Sequence, residues 1–177
     1  MSRVRIVPVN AIEPAFLSRL ASCLEERFLY TCLVERALAV PRSAMNRARG
    51  QMFRNALSAK ILEVFPPTNG DFLLGITEWD MYKTSHRFIF GDADERYRLA
   101  IVSLHRLRSQ FYGEHPDGNL LFQRTVKEGV HQLGRTLGLG PCFNSRCAMY
   151  VSGSIFDIDN KWSNFCELCD RRCRAQS

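Results

Sequence analysis

The stretch His131-Gln-Leu-Gly-Arg135-Thr-Leu-Gly138-Leu-Gly-Pro141-Cys142 closes a segment whose apolar residues recur at helical spacing. His131 and Arg135 are four residues apart, so a helix places them on one face. A different face is apolar and follows the i, i+4, i+7, i+11 rule of a buried helix surface. The spacing predicts a helix over about residues 121 to 138, and its buried face consists of Val126, Val130, Leu133 and Leu137.

The same stretch has the frame of HExxHxxGxxH, a long helix motif of zinc proteases. In that motif the first two histidines lie one helical turn apart and bind the same zinc ion, and the glutamate is the general base. The first histidine and the glycine survive here as His131 and Gly138. Gln132, Arg135 and Pro141 occupy the places of the glutamate and the other two histidines. The pattern therefore predicts that the catalytic metal site is lost.

The chemistry of the three replacements supports this interpretation. Glutamine cannot take a proton from water near neutral pH, and proline has no side-chain donor for a metal. Arg135 places a permanent positive charge near the metal position, where it either pairs with a carboxylate or extends into solvent. His131 alone cannot hold a catalytic zinc, which takes three protein ligands and a water. A site rebuilt from His86, His105 and His115 has no spacing signal behind it.

The cysteines indicate a second, separate metal site. The chain has seven cysteines, and five of them lie in the last 36 residues. An odd number without a secretion signal favours reduced thiols held by a metal over disulfides. Cys142 and Cys147 form one close pair and Cys166-Glu-Leu-Cys169 forms another, which together supply the four thiolates of a closed tetrahedral zinc site. Cys173 is a spare thiol that could compete as a ligand.

Length and charge set broad limits. At 177 residues and 46% hydrophobic, the chain is long enough for one compact domain. The formal charge is +6, and four thiolates with one zinc ion would lower it to +4. Basic residues are spread over residues 42–54, 96–108 and 161–174, with no aromatic-studded basic stripe, so a nucleic-acid partner is not expected.

No apolar run reaches the roughly 20 residues that span a bilayer, and residues 2–9 alternate like a strand and not like a leader peptide. We therefore expect no membrane partner and a cytoplasmic location.

The rest of the sequence alternates strand-like and helix-like segments, which predicts a mixed α/β sheet. We expect strands at residues 3–9, 30–40, 72–77, 87–91 and 97–104, with an acidic turn at 91–95. Helices are expected after Glu13-Pro14, from about Ser43 to Val64, and over the motif.

Beyond the motif helix, Met149 lies two positions after Cys147 and the CxxC pair closes the set. A motif helix ending at Gly138 and joined to this cysteine and methionine pattern resembles the archaemetzincins, a family of small metalloproteases of archaea and some eukaryotes. The resemblance extends upstream through residues 75–82, 88–91 and 100–108 and covers most of the chain.

The resemblance implies an α/β (α+β) zincin fold: a mixed sheet with packing helices, an active-site helix and a small C-terminal zinc lobe. We expect a single domain, residues 1–177, with a sheet-and-helix part at 1–138 and the lobe at 139–177. Carried over by position, His131 is the first catalytic ligand, Gln132 the general base, Arg135 the second ligand and Pro141 the third, and Met149 lies in the Met-turn below the catalytic metal. The ligands of the one structural zinc ion are Cys142, Cys147, Cys166 and Cys169.

These observations predict a family member with one structural zinc, no catalytic zinc and no peptidase activity. Its cleft could still bind an extended peptide or a protein segment, because a peptide adds to a sheet edge, expected at Arg87 to Phe90, without any metal. Two alternatives stay open. One is an active metallopeptidase with unusual ligands, and the other is a zinc-ribbon nucleic-acid module, suggested by Arg171, Arg172 and Arg174 beside the cysteines.

Overall fold

The structure is a computed structural model and describes residues 3–68 and 70–175. Residues 1 and 2, which include Ser2 of the predicted strand pattern, and the last residues of the predicted domain, 176 and 177, lie outside this part. The described strands are β1 (Arg3–Val9), β2 (Thr31–Val34), β3 (Met45–Asn46), β4 (Gln51–Phe53), β5 (Phe72–Thr77), β6 (Met81–Lys83), β7 (His86–Ile89), β8 (Gly91–Asp94) and β9 (Leu99–Ser103). The described α-helices are α1 (Pro14–Phe28), α2 (Arg54–Val64), α3 (Gly118–Thr136), α4 (Ile155–Asn160) and α5 (Glu167–Arg174).

The larger sheet has the strand order β2-β1-β5-β9-β8. The first four strands are parallel, and β8 runs antiparallel to β9 at the edge. Parallel neighbours need a crossover, which α1 provides between β1 and β2. The predicted mixed α/β architecture is therefore confirmed.

The larger sheet is buried on both faces, because its strands alternate apolar side chains between two core clusters. Along β5, Phe72, Leu74 and Ile76 join the cluster on the side of α1 and α3, whereas Leu73 joins the cluster on the side of α2. Strand β9 alternates in the same way. The sheet is thus a rigid base on which α3 lies.

A smaller sheet, with the order β3-β4-β6-β7, replaces the first half of the helix predicted from Ser43 to Val64. That prediction is wrong for residues 43–53. Gly50 adopts a positive φ of 64°, which turns the chain back between β3 and β4, and Met52 then pairs with Met81 of β6. Met52 is buried because of this pairing and not because it lies on a helix face. Helix α2 begins only at Arg54.

Three other segments differ from the prediction. The strand expected over residues 30–40 ends at Val34, and after it only Leu38 bridges to β1. The predicted acidic turn is strand β8, whose aspartates are neutralised by nearby cations. Arg87 to Phe90 was expected to form a sheet edge, and most of this segment lies in β7, an edge strand of the smaller sheet. The cleft-side edge of the larger sheet is β8, which follows it in the chain.

Helix α3 begins three residues earlier than predicted, at Gly118, because the Asp117 side chain accepts a hydrogen bond of 2.8 Å from the Leu120 N–H and caps the helix. The helix ends at Thr136, and Gly138 with φ 76° redirects the chain into the C-terminal segment. Helix α3 packs against α1, β8 and β9. None of the described helices combines the length and apolar character that crossing a bilayer requires.

Candidate metal centre and adjoining cleft

The described residues contain one group of three or more side chains placed to hold a metal ion together, and it is the predicted cysteine set. The Sγ atoms of Cys142, Cys147, Cys166 and Cys169 all lie within 4.8 Å of one another, and those of Cys142 and Cys166 are 3.8 Å apart. A tetrahedral zinc ion with Zn–S bonds of about 2.3 Å separates its sulfurs by about 3.8 Å. The four cysteines therefore fit a structural zinc ion, which would cross-link the lobe when bound.

Local backbone geometry supports this fit. Two backbone N–H groups donate to the Cys147 Sγ, from Cys166 at 3.2 Å and from Met149 at 3.4 Å. A hydrogen bond from the Cys169 backbone N–H, with help from the neighbouring thiols, lowers the pKa of Cys166 to about 7, whereas burial raises the pKa of Cys147 and of Cys169. Metal binding must therefore release protons from the buried thiols. Cys173 is buried on α5 but does not belong to the group.

A cleft of about 970 Å³ opens beside the metal centre. Its walls come from β7 and β8 on one side, from α3 on the second side and from the loop around Met149 on the third. All of the predicted catalytic positions, His131, Gln132, Arg135 and Pro141, line this cleft. The cleft is thus the place where the family motif would hold its catalytic metal.

His131 keeps the orientation of a metal ligand. Its Nδ1 lies 2.8 Å from the carbonyl oxygen of Ala148, and a carbonyl can only accept, so Nδ1 carries the proton and Nε2 keeps its lone pair. The side chain is only 5% exposed, and burial lowers its pKa from 6.5 to about 4. His131 is therefore neutral near pH 7, as a zinc ligand must be.

Gln132 is held between a carboxylate and a guanidinium. Its Nε2 donates to Glu128 Oε1 at 2.6 Å, and its Oε1 accepts from Arg135 Nη1 at 3.1 Å. Glu128 in turn is almost fully buried and lies 3.5 Å from the Nζ of Lys161, which is also buried. That distance is typical of an ion pair and leaves the Glu128 Oε2 without a hydrogen-bond donor among the described residues. Burial would raise the pKa of Glu128, but Lys161 and Gln132 outweigh it and hold the pKa below its usual value.

Arg135 pairs with Asp92 across the cleft, with Nη1 at 3.3 Å from Oδ1. Asp92 also contacts Arg54 at 2.8 Å and Lys83 at 3.3 Å, so three cations surround one carboxylate. The Arg135 side chain is 38% exposed, so it pairs with a carboxylate and still faces solvent. A fixed positive charge thus lies close to His131.

Pro141 and Met149 complete the comparison with the motif. Pro141 is exposed at the rim of the cleft and has no donor atom. Met149 is fully buried in the floor of the cleft and packs so closely on α3 that a Cβ atom on Gly134 would lie 2.5 Å from its Sδ. This buried position beside α3 is the one expected for Met149 as the Met-turn residue, and that role stays a prediction.

The residues around the catalytic position do not fit a zinc ion. His131 offers one imidazole nitrogen, whereas the second and third positions carry a guanidinium and a proline ring. Of the carboxylates that line the cleft, Glu128 is paired with Lys161 and Asp92 with three cations, whereas Glu95 is exposed in the turn after β8.

The fold, the cysteine cluster and the cleft together invite comparison with known proteins. The sequence model of Peptidase family M54 matches residues 28–175 of the chain. The chain belongs to this family. Archaemetzincins are similar over almost its full length: the protein of Methanocaldococcus jannaschii is 38% identical, covering 94% of this chain and 90% of its own, and that of Pyrococcus abyssi is 35% identical, covering 97% and 94%.

Solved archaemetzincins share the fold. The crystal structure of the Methanopyrus kandleri protein has a TM-score of 0.84 at 30% identity and covers 99% of this chain and 94% of its own. The Archaeoglobus fulgidus protein, complexed with malonate, has a TM-score of 0.80 at 32% identity and covers 97% of this chain and 99% of its own. The resemblance inferred from the motif helix and the cysteine pattern is therefore confirmed.

Four residues of this archaemetzincin site were not identified from the sequence. Glu128 carried a usable signal, because it lies four residues before Gln132 and so shares a helix face with it. Lys161 and Arg54 reach the site from distant parts of the chain and carried no signal. Asp92 was assigned to a turn, which hid its position on an edge strand.

Proposed function

We propose that this archaemetzincin has kept the fold and the structural zinc site of its family, has lost metallopeptidase activity and uses the cleft to bind extended peptide segments. The observation that carries the proposal is the set of side chains at the motif positions, where His131 is the single remaining imidazole. The other imidazole that lines the cleft, His86, is exposed on β7, and its Nδ1 lies 2.8 Å from the Ser85 hydroxyl. Catalytic zinc sites use three protein ligands and one open position, and one imidazole falls short of that requirement.

Loss of the general base supports the same conclusion. Both polar atoms of the Gln132 amide have hydrogen-bond partners, and an amide has no useful basicity near neutral pH. Glu128 is the nearest carboxylate on the helix, but it is 3% exposed and paired with Lys161. It is therefore poorly placed to accept a proton from a water molecule in the cleft.

The edge of the larger sheet supports peptide binding. The Ser103 N–H donates to the Phe90 carbonyl at 2.8 Å, so the alternation of an antiparallel ladder directs the backbone groups of Asp92 and Asp94 to β9. The backbone groups of Gly91 and Ala93 then point away from the sheet. Such an edge can add a further strand by backbone hydrogen bonds, and this addition requires no metal.

A nucleic-acid role has weaker support. Two of the three arginines beside the cysteines pair with acidic residues of their own helix, Arg171 with Glu167 at 3.7 Å and Arg174 with Asp170 at 2.9 Å. These pairs lower the positive charge available for phosphates.

The test is a cleavage assay on a pool of fluorescence-quenched extended peptides, with and without a zinc chelator. We expect no chelator-sensitive hydrolysis by the native chain. The triple variant Gln132→Glu, Arg135→His, Pro141→His restores the motif and is the matched comparison for the same pool. Amide hydrolysis by the native chain that the chelator abolishes would overturn the proposed loss of activity. If a binding measurement on the same pool found no peptide that binds, the proposed peptide binding would be wrong.

A further inference from the structure

We infer that the cleft recognises a carboxylate, which binds to the Arg135 guanidinium, and that its ligand is a peptide carrying that group at its C-terminus or on an acidic side chain. This inference rests on the proposed function, because it specifies which extended peptides the cleft would hold. It depends on the free donors of Arg135, on the crowding of cations around Asp92 and on the nearby sheet edge.

Arg135 uses only part of its hydrogen-bond donors. Both of its hydrogen bonds, to Asp92 and to Gln132, use Nη1, so Nε and Nη2 have no partner among the described residues. Other arginines of the chain bind a carboxylate with both arms: Arg106 holds Asp80 at 2.9 and 2.7 Å, and Arg124 holds its carboxylate partner at 2.7 Å on both arms. A guanidinium fork matches a carboxylate in this two-bond geometry. The Arg135 fork is free for an incoming carboxylate.

Asp92 cannot satisfy the cations that surround it. The short contact to its Oδ2 is made by Arg54, at 2.8 Å, while Arg135 and Lys83 share Oδ1 at 3.3 Å each. Charge-assisted hydrogen bonds are typically about 2.7–2.9 Å long, so the two shared contacts are loose. A second carboxylate in the cleft would therefore gain two charged donors without displacing the Arg54 pair.

The charges of the cleft wall favour an anion. Arg87 lines the cleft with an exposed side chain, in addition to Lys83 and Arg135. On the acidic side, Glu95 is exposed, whereas Glu128 is buried against Lys161 and contributes little field to the cleft. The solvent-facing charge of the wall is therefore positive, which attracts an acidic ligand.

The carboxylate position and the sheet edge are adjacent. Asp92, the partner of Arg135, lies between Gly91 and Ala93, whose backbone groups are available for an added strand. One short peptide can thus pair with β8 through its backbone and reach Arg135 with a carboxylate. The backbone would provide general affinity, and the guanidinium would provide the chemical preference.

The experiment compares three fluorescein-labelled peptides of one neutral extended sequence by fluorescence anisotropy. The first has an amide C-terminus, the second has a free C-terminal carboxylate, and the third has the amide terminus and one Gln→Glu change. A two-bond contact to a charged donor corresponds to about a tenfold or larger gain in affinity. We expect at least one carboxylate peptide to bind about tenfold more tightly than the neutral one, and which of them does so identifies the source of the carboxylate.

Variants separate the guanidinium from general charge effects. Arg135→Gln is expected to abolish the preference, so that the carboxylate peptides and the neutral peptide bind with equal affinity. Arg135→Lys keeps the charge but not the fork, and is expected to lose most of the preference. Arg171→Gln, on exposed helix α5, is the matched control and should change nothing. Equal zinc content shows that each variant is folded.

The outcomes distinguish this inference from the proposed function. Equal binding of neutral and carboxylate peptides, or a preference that survives Arg135→Gln, would overturn the inference and leave peptide binding in the cleft intact. Failure of all three peptides to bind would overturn both. Cleavage of the neutral peptide would instead contradict the proposed loss of activity.

Discussion

At the scale of single residues, His131 combines the orientation of a metal ligand with neighbours that do not fit a zinc ion. Its Nδ1–H is fixed by the Ala148 carbonyl, as the outer partner of a zinc-bound histidine would fix it. The positions that follow it carry an amide and a guanidinium, which turn the former ligand into a buried neutral imidazole.

This burial makes folding sensitive to acid. Burial lowers the pKa of His131 from 6.5 to about 4, so below pH 6.5 the unfolded chain takes up a proton that the folded protein resists. The contribution of His131 therefore leaves the free energy of unfolding unchanged above about pH 7. As the pH drops towards 4, this contribution lowers the free energy of unfolding, by about 2 kcal/mol at about pH 5. His131→Gln removes this titration. Urea unfolding near pH 7 and pH 5, at equal zinc content, should show a smaller loss for the variant, and equal losses would contradict the assignment.

Glu128 and Lys161 form a buried pair whose partners depend on each other. Removing one charge leaves the other buried alone, which costs about 3–5 kcal/mol, whereas replacing both by apolar residues of similar size is often close to neutral. We expect Lys161→Met to destabilise the protein by that amount and the double variant Glu128→Met, Lys161→Met to recover most of it. Lys60→Met, which breaks the exposed pair with Glu63, is the control and should change stability by less than about 0.5 kcal/mol. Additive effects of the two core changes would rule out the pairing.

At the scale of elements, the sequence predicted helix α3 and the parallel core strands well, because their apolar spacing is strong and local. It predicted the second sheet and β8 poorly. Gln51 to Phe53 form a strand because they pair with β3 and with β6, and β6 lies far along the chain. The two aspartates of β8 led to the prediction of a turn, because the cations that neutralise them come from other segments of the chain. Such contacts between distant segments leave no local pattern in a sequence.

Two glycines of α3 test how closely the C-terminal lobe packs on this helix. A Cβ on Gly134 would lie 2.5 Å from Met149 Sδ and 3.3 Å from the ring of Phe165, whereas a Cβ on Gly129 would have ordinary contacts of 3.8 Å or more. Both changes to alanine gain about 1 kcal/mol of helix propensity, but overpacking costs about 1–3 kcal/mol. We expect Gly129→Ala to be stabilising and Gly134→Ala to be about 1–3 kcal/mol less stable than Gly129→Ala. Denaturant titration measures both, and equal stabilities would mean that the lobe packs loosely.

At the scale of the whole molecule, the two candidate metal positions, the cysteine cluster and the cleft at His131, differ in the side chains that they offer. The cysteine cluster was predictable because its ligands are chemically distinctive and closely spaced in the chain. The ion pairs behind the cleft were not, since Arg54 meets Asp92 and Lys161 meets Glu128 only after folding. The fold has therefore kept four cysteines that fit a structural zinc ion, while the charged side chains of the cleft are held by ion pairs.

The number of zinc ions per chain tests this account most directly. Elemental analysis of the purified protein should find one zinc ion per chain, lost in the double variant Cys166→Ser, Cys169→Ser and retained in His131→Ala. Two zinc ions per chain, or one that survives the cysteine changes and disappears with His131→Ala, would contradict it.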